Sequence, residues 1–281
     1  MAIAKESDVV VLCMGLSPML EGEEMKVHVP GFSGGDRLDI KLPDAQTRLM
    51  KKIKELGKPM VLVMLNGSAL AINWENQNIP AIIEAWYPGQ AGGTAIADVL
   101  FGDYNPAGRL PLTFYKDIND IPAFNDYSMK GKTYRYFKGD PLYDFGFGLS
   151  YADFKYSDLA IKESVNAGDE IKIEVAVTNT SKVDGDEVVQ VYFTNVKEDE
   201  KQTNRTLIGF ERVFVKASET KKVSFTIQPK QLAQFITNSG LVLSPGEIVF
   251  SVGGMQPNEK RIKERTVITK KINVTGIPVV F

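Results

Sequence analysis

The first half of the chain alternates short apolar runs with segments of helical periodicity. The apolar runs occupy residues 9–14, 60–65 and 81–87. Continuous runs of this length, bounded by turn residues, are typical of strands that are covered on both faces. The helical patterns occupy residues 43–56 and 94–100, and a glycine follows each of them. This alternation predicts an α/β domain with a parallel sheet, whose strands all end at one edge.

The second half has a different pattern, in which apolar and polar residues alternate with period two. The alternating segments are residues 171–178, 187–193, 207–215, 222–227, 248–252 and 271–274. Short strands at this spacing predict an antiparallel β-sandwich of the immunoglobulin or fibronectin type III kind. The predicted fold class is therefore α/β plus all-β, with domains at residues 1–151 and 152–281. The α/β sandwich is predicted to be incomplete, because three strands make a small sheet.

A loop rich in carboxylates follows the first predicted strand. Glu21, Glu23 and Glu24 occupy three of four consecutive positions in it. Like charges this close repel one another unless they are solvated, paired with a base such as Arg37, or used in chemistry. Because open α/β sheets bind ligands beyond the carboxyl ends of their strands, this loop is the leading candidate for a functional site.

Composition narrows the classes of function. The chain has 281 residues, of which 43% are hydrophobic, and a formal net charge of −2; these values indicate folded cores and give no sign of nucleic-acid or membrane binding. A single cysteine, Cys13, excludes an intrachain disulfide, and its place in the first strand predicts a buried thiol. A single histidine, His28, excludes a multi-histidine metal centre within the chain. The first residues lack a signal-peptide pattern, so secretion would require a leader that has been removed.

Several motifs occur in the order found in one enzyme family. They are Gly15 with Glu21, Gly22 and Glu23; Gly35, Asp36 and Arg37; Leu42, Pro43 and Gln46; Asn66 and Gly67; and residues 86–93, 102–111, 134–137 and 144–151. Through these motifs the chain resembles, over most of residues 9–154, the C-terminal half of a glycoside hydrolase family 3 enzyme of the β-glucosidase or β-xylosidase type. The alternating strands of the second half resemble the fibronectin type III-like domain of that family.

The resemblance implies a retaining, exo-acting β-glycosidase with three parts: a (β/α)8-like barrel, an α/β sandwich and the fibronectin-like domain. The match begins partway into the α/β sandwich, so the barrel, which carries the nucleophilic Asp of the family, is not represented. The acid/base Glu of the family comes from the loop that is acidic here. Aligning Gly22 and Glu23 with the family favours Glu23, whereas aligning Gly15 and Pro18 favours Glu21, and both alternatives stay open.

Three further residues are candidates for substrate binding. Arg37 is placed to pair with the acidic loop or with a sugar hydroxyl, and a structural ion pair is the alternative. Trp86 and Tyr87 precede a Pro-Gly-Gln turn and offer aromatic faces that stack on sugars, with packing between domains as the alternative. Gln46 is expected either to reach the site or to lie on the surface of its helix.

The predicted function is that of the C-terminal portion of a β-glucosidase or β-xylosidase that hydrolyses terminal β-linked sugars. The expected partners are a β-linked oligosaccharide or glycoside and a barrel domain or chain that carries the nucleophile, with no metal or cofactor. The chain alone is expected to be inactive, because retaining hydrolysis needs two carboxyl groups, and to expose a sheet edge. The family suggests a secreted or periplasmic location. A non-catalytic carbohydrate-binding or scaffolding module is the alternative.

Overall fold

The three apolar runs of the first half lie side by side as a parallel sheet in the computed structural model of the chain. The structure describes residues 1–21, 25–34, 36–196, 205–236 and 238–281. The chain forms two compact units: the first comprises Met1–Tyr104, Thr113–Asp126 and Gly139–Tyr143, and the second comprises Asn105–Leu112, Tyr127–Lys138 and Asp144–Phe281. The domain boundary expected after residue 151 stays a prediction. No helix in the described part of the chain is long and apolar enough to cross a membrane.

The first unit follows the predicted alternation of strands and helices. Its elements are α1 (Ala2–Glu6), β1 (Val10–Gly15), β2 (Phe32–Ser33), β3 (Asp36–Arg37), α2 (Asp44–Lys54), β4 (Met60–Leu65), α3 (Asn73–Asn78), β5 (Ala81–Glu84) and α4 (Gly92–Phe101). Both predicted helices are confirmed, as α2 and α4. Helix α3 was not predicted, because its residues are polar apart from Trp74 and carry no apolar periodicity.

Strand β4 lies between β1 and β5, and both pairings are parallel, as predicted. Val10 pairs with Met60, and Val61 pairs with Ala81. Strand β5 ends at Glu84, earlier than the apolar run does. The reason is Trp86, whose φ of 55° lies in the left-handed region and turns the chain away from the ladder.

The central strand supplies most of the core of the first unit. Leu62, Val63 and Met64 are completely buried, and α2 contributes Met50 and Ile53 to the buried set. Strand β4 is shielded most from solvent because another strand of the sheet pairs with each of its edges.

Strand β1 is the edge of this sheet within the described residues. Val9 and Val11 are 49% and 48% exposed, and Cys13 on the same face of the strand is exposed too. The prediction of a buried Cys13 is therefore wrong. A continuous apolar run indicates a strand that is normally covered on both faces, but it does not reveal which faces the chain itself covers.

The second unit is dominated by strands. Its elements are α5 (Thr133–Tyr136), β6 (Phe154–Ala160), β7 (Ser164–Asn166), β8 (Ile171–Asn179), β9 (Gly185–Asn195), β10 (Thr206–Val215), β11 (Thr220–Ile227), α6 (Pro229–Leu232), β12 (Gln234–Ile236), β13 (Gly240–Leu243), β14 (Gly246–Gly253), α7 (Glu259–Lys263), β15 (Val267–Thr275) and β16 (Val279–Val280). All six predicted strands are present, which confirms the period-two pattern.

Two sheets, of five and three strands, form the sandwich. One has the strand order β10-β9-β14-β15-β7 and the other the order β11-β8-β6. Their inward-facing residues share one core, in which Val175 and Val177 of β8 meet Val191 of β9 and Phe250 of β14. Pairing is antiparallel except between β15 and β7, which are parallel and depart from the antiparallel arrangement that was predicted.

A buried ion pair lies within the second unit. Arg109 Nη2 is 2.6 Å from Glu187 Oε2, and the two side chains are 9% and 4% exposed. Tyr156 donates a hydrogen bond of 2.6 Å to the other oxygen of Glu187, and Arg109 Nε donates to the carbonyl of Gly254. Burial raises the pKa of Glu187, and the positive charge of Arg109 opposes that rise. Each charge thus has the partners that burial requires.

The exposed edge of β1 leads to a prediction about self-association. Replacing Val11 with Lys should reduce concentration-dependent association of the chain, because a charged side chain on an edge strand disfavours pairing with another strand. Sedimentation velocity over a range of concentrations measures the effect. Val183→Lys is the matched control, since Val183 is 46% exposed in the second unit. A wild-type chain that stays a monodisperse monomer at all concentrations would contradict the prediction.

The buried ion pair leads to a prediction about stability. Arg109→Ala should lower the free energy of unfolding by about 3–5 kcal/mol, because it leaves Glu187 buried without its cation. Arg212→Ala removes a pair of the same length with Asp186, but Arg212 is 53% exposed, so the cost should be about 1 kcal/mol or less. Urea denaturation of both variants measures the difference, and equal losses would show that burial does not decide the strength of the pair.

Candidate active site

The carboxyl ends of β1, β4 and β5 bring three segments of the chain to one edge of the sheet. Residues 16–21 follow β1, residues 66–68 follow β4, and residues 85–87 follow β5. Because the strands are parallel, these segments are neighbours although they are far apart in sequence. The sequence predicted a functional site at this edge.

Gly15, the last residue of β1, is held in place by its neighbours where the chain leaves the sheet. Gly15 has φ 137°, and a Cβ at this position would lie 2.0 Å from the carbonyl oxygen of Leu65. Gln46 of α2 accepts a hydrogen bond from the Gly15 N–H at 2.9 Å and donates one to its carbonyl at 2.8 Å. Gln46 therefore clamps the end of β1, and a side chain on residue 15 would push the two strands apart.

Glu21 is held by hydrogen bonds from the other two segments. Ser68 Oγ donates to Oε1 at 2.6 Å, and the Tyr87 hydroxyl donates to Oε2 at 2.5 Å. The Gly67 N–H lies 3.4 Å from Oε2. The side chain of Glu21 is 16% exposed, which leaves it open to solvent on one side. We call Glu21, Gly67, Ser68 and Tyr87 the glutamate cradle.

Arg37 approaches the cradle from β3. Its Nη1 donates to Ser68 Oγ at 2.7 Å and lies 3.9 Å from Glu21 Oε1. Nε donates to the carbonyl of Asp39, and the side chain is 14% exposed. Nη2 is buried and has no hydrogen-bond partner among the described residues. Arg37 thus pairs with the acidic loop, one of the two uses that its sequence position suggested.

Gly67 allows the cradle to close. A Cβ at this position would lie 2.8 Å from Cε2 of the Tyr87 ring and 3.4 Å from Glu21 Oε2. The ring therefore packs directly over the backbone of Gly67, with its hydroxyl on Glu21. Partial desolvation and the hydrogen bond to Glu21 raise the pKa of Tyr87 to about 12, so the phenol keeps its proton at neutral pH.

Trp86 packs against another aromatic side chain. Its indole packs edge-on against Phe114 at a centroid distance of 6.2 Å, and Phe114 in turn contacts Tyr143 at 5.9 Å. This is the packing arrangement that was the alternative to substrate binding, here within the first unit. Tyr87 is 43% exposed and remains next to Glu21. Substrate contact by Arg37, Trp86 or Tyr87 stays a prediction.

Glu23, the other candidate acid, lies outside the described residues, as do Gly22 and Glu24. The segment that follows borders an open cleft of about 450 Å³, with Lys26, His28 and Phe32 in its wall. In the described part of the chain, no group of three or more His, Cys, Asp or Glu side chains is arranged to hold a metal ion.

Glu84 is a site residue that the sequence did not single out. It ends β5 and accepts hydrogen bonds from the Trp86 N–H at 3.2 Å and from Asn66 Nδ2 at 3.3 Å. Burial raises its pKa to about 7, and these two hydrogen bonds limit the rise. The available signal was a carboxylate inside an apolar run, directly before the residue at which the strand turns away.

Known proteins resemble the chain in both sequence and structure. Residues 1–151 match the glycosyl hydrolase family 3 C-terminal domain, and residues 187–256 match the fibronectin type III-like domain. A xylan 1,4-beta-xylosidase of Xylanibacter ruminicola is 41% identical over 256 residues, which are 90% of this chain and 29% of that protein. A periplasmic beta-glucosidase of Salmonella typhimurium is 36% identical, over 89% of this chain and 34% of that protein.

Solved structures agree with the sequence matches. A β-glucosidase of Erythrobacter marinus has a TM-score of 0.83 and 32% identity, covering 98% of this chain and 35% of that one. A β-glucosidase of Kluyveromyces marxianus, solved with glucose, has a TM-score of 0.82 and 29% identity, over 100% of this chain and 33% of that one. These matches confirm the predicted fold class and the predicted resemblance. The chain spans about a third of the length of these relatives.

The titration of Glu84 leads to a prediction about stability and pH. The pKa of Glu84 is raised from 4.5 to about 7 in the folded chain, so the folded state retains a proton that the unfolded state releases. The resulting stabilisation is complete below about pH 4.5 and is lost as the pH rises through about 7. The free energy of unfolding of wild type relative to Glu84→Gln should fall by about 3 kcal/mol over this window. A difference that does not change with pH would contradict the prediction.

Proposed function

The chain belongs to glycosyl hydrolase family 3, and from this premise we propose that it supplies the acid/base half of a retaining, exo-acting β-glycosidase. The substrate class is a terminal β-linked glucoside or xyloside, as the names of the relatives suggest. The observation that carries the proposal is a single carboxyl group, that of Glu21, held at the carboxyl edge of the sheet by Ser68 and Tyr87. The nucleophilic Asp would come from a barrel in the same polypeptide or in a second chain.

Glu21 is the acid/base in this proposal, and the register that aligns Gly15 and Pro18 supports it. Retaining hydrolysis requires this group first to protonate the leaving glycosidic oxygen and then to take a proton from the attacking water. Glu21 therefore alternates between a neutral and a charged form. The Ser68 hydroxyl can serve both forms because it can donate and accept hydrogen bonds. Tyr87 donates to the carboxylate that proton transfer leaves behind.

Arg37 adds a fixed positive charge beside the acid. It contacts Ser68 directly and lies 3.9 Å from Glu21, so it stabilises the carboxylate that forms after the leaving oxygen has been protonated. Its side chain keeps 14% of its surface exposed, so a sugar hydroxyl can still approach the guanidinium. Substrate binding by Arg37 is thus compatible with the ion pair.

The location that we propose is periplasmic or secreted. The support is the Salmonella relative, whose name places it in the periplasm.

Substitution of each candidate acid tests the proposal. The chain should be inactive on aryl β-glucosides and β-xylosides when alone and active when combined with the barrel half of a family 3 enzyme. In the combined enzyme, Glu21→Gln should lower kcat about 10²–10⁴-fold, the usual contribution of general acid–base catalysis. Glu23→Gln is the matched control and should have a small effect.

The leaving group distinguishes loss of the acid from general damage. The dinitrophenolate of a dinitrophenyl glycoside leaves without being protonated. Glu21→Gln should therefore slow the cleavage of this substrate far less than the cleavage of a methyl glycoside or a disaccharide, whose leaving oxygen needs a proton. Loss of activity in Glu23→Gln, with activity kept in Glu21→Gln, would reassign the acid to Glu23. Turnover by the chain alone would place the nucleophile within it, and carbohydrate binding without any turnover in the combined enzyme would favour a non-catalytic module.

A further inference from the structure

We propose that Glu84 is a positioning residue that fixes the geometry of the glutamate cradle by joining the turn after β4 to the turn after β5. The inference rests on the proposed function of Glu21. It assigns a role to a partly buried carboxyl group that does not itself touch Glu21 in any hydrogen bond of the described residues.

The two oxygens of Glu84 serve two different turns. Oε1 accepts from the Trp86 N–H at 3.2 Å, and Oε2 accepts from Asn66 Nδ2 at 3.3 Å. Trp86 belongs to the turn after β5, and Asn66 to the turn after β4. Ser68 lies two residues after Asn66, and Tyr87 lies one residue after Trp86. Glu84 is therefore hydrogen-bonded to both turns that carry the donors to Glu21.

The first of these two connections passes from Glu84 through Asn66 to Ser68. The Asn66 side chain is completely buried, and its Nδ2 also donates to the carbonyl of Ser68 at 2.9 Å. The amide thus holds the backbone of Ser68, whose hydroxyl is 2.6 Å from Glu21. Loss of the carboxyl at position 84 would remove one acceptor of this buried amide, so the amide should shift to find another partner.

The second connection passes from Glu84 through Trp86 to Tyr87. The φ of 55° at Trp86 is strained for a non-glycine residue, and the hydrogen bond from its N–H to Glu84 stabilises that conformation. Packing of the indole on Phe114 fixes the opposite side of the residue. The next residue, Tyr87, is then directed so that its hydroxyl lies 2.5 Å from Glu21.

The chemistry of position 84 also favours a site role over a core role. Strand β5 is otherwise apolar, and a carboxyl group removed from water is costly unless it makes hydrogen bonds. An apolar residue would fill the same space at no such cost. A carboxyl with one oxygen on each turn is what fixing both turns together requires.

Titration of Tyr87 in the chain itself tests the inference without any activity measurement. The phenol carbons are labelled with ¹³C and followed by NMR across alkaline pH, with Tyr87→Phe to assign the signal. In the wild type the pKa of Tyr87 is raised from 10.0 to about 12. In Glu84→Leu it should fall by about one unit, because the turn relaxes and the hydroxyl leaves Glu21.

Two further variants make the result interpretable. Glu84→Gln keeps the size of the side chain and one acceptor oxygen, so it should hold one turn and give a smaller fall in the pKa of Tyr87. Glu75→Gln is the matched control, because Glu75 is a buried carboxyl group of the first unit that bonds Thr47 on α2 and neither turn of the cradle, and it should leave the Tyr87 titration unchanged. If Glu84→Leu does not fold, Glu84→Gln decides. A Tyr87 titration that is the same in wild type and in folded Glu84 variants overturns the inference.

Kinetics of the combined enzyme provide the second measurement. Glu84→Gln should lower kcat about tenfold with little change in KM, since the acid is displaced while substrate binding is retained. The loss should be larger for poor leaving groups, and Glu75→Gln should not show it. If Glu21→Gln keeps full activity, the proposed function fails, but the Tyr87 titration still decides whether Glu84 positions the cradle.

Discussion

The parallel pairing of β1, β4 and β5 is the constraint on which the candidate site depends. Ser68 and Tyr87 are 47 and 66 positions from Glu21 in the sequence, yet both donate hydrogen bonds to it. They meet only because three parallel strands end at the same edge. Had one strand run in the opposite direction, its terminal turn would lie at the far edge of the sheet. Every contact in the cradle thus depends on the three strands running in the same direction.

Close backbone approach is the second requirement of this edge. Gly15 brings the end of β1 against Leu65, and Gly67 lets the Tyr87 ring lie over the backbone. Polar side chains then bind the backbone of these glycines, with Gln46 on the N–H and carbonyl of Gly15 and Glu21 beside the Gly67 N–H. The result is a rigid support of strand ends around a carboxyl group that is still open to solvent, which is the combination that a proton-transferring group needs.

The two units use buried charge differently. In the second unit, Arg109 and Glu187 neutralise each other, and Tyr156 donates a hydrogen bond to the other oxygen of the carboxylate. In the first unit, Glu84 has no cation in hydrogen-bond contact among the described residues, and burial raises its pKa to about 7. A fully compensated pair is typical of a structural role, whereas a carboxyl group with a strongly raised pKa, at a sheet edge that carries a second and partly exposed acid, is typical of a functional site.

The sequence by itself determined the fold class and the family. Continuous apolar runs set the three parallel strands, period-two alternation set the sandwich strands, and the ordered motifs identified the resemblance, because each of these signals is local and survives without knowledge of contacts. It also located the acidic loop and named Glu21, Arg37 and Tyr87, although it could not choose between Glu21 and Glu23.

The tertiary structure decided what local patterns do not encode. It showed that Cys13 is exposed, because edge position follows from which strands are present and not from the run itself. It packed the Trp86 ring on Phe114 and placed the Tyr87 hydroxyl on Glu21, because the chain leaves the ladder after Glu84 and turns at the left-handed Trp86. It also brought Glu84 and Asn66 together, a contact between residues 18 positions apart that only the pairing of β4 with β5 creates.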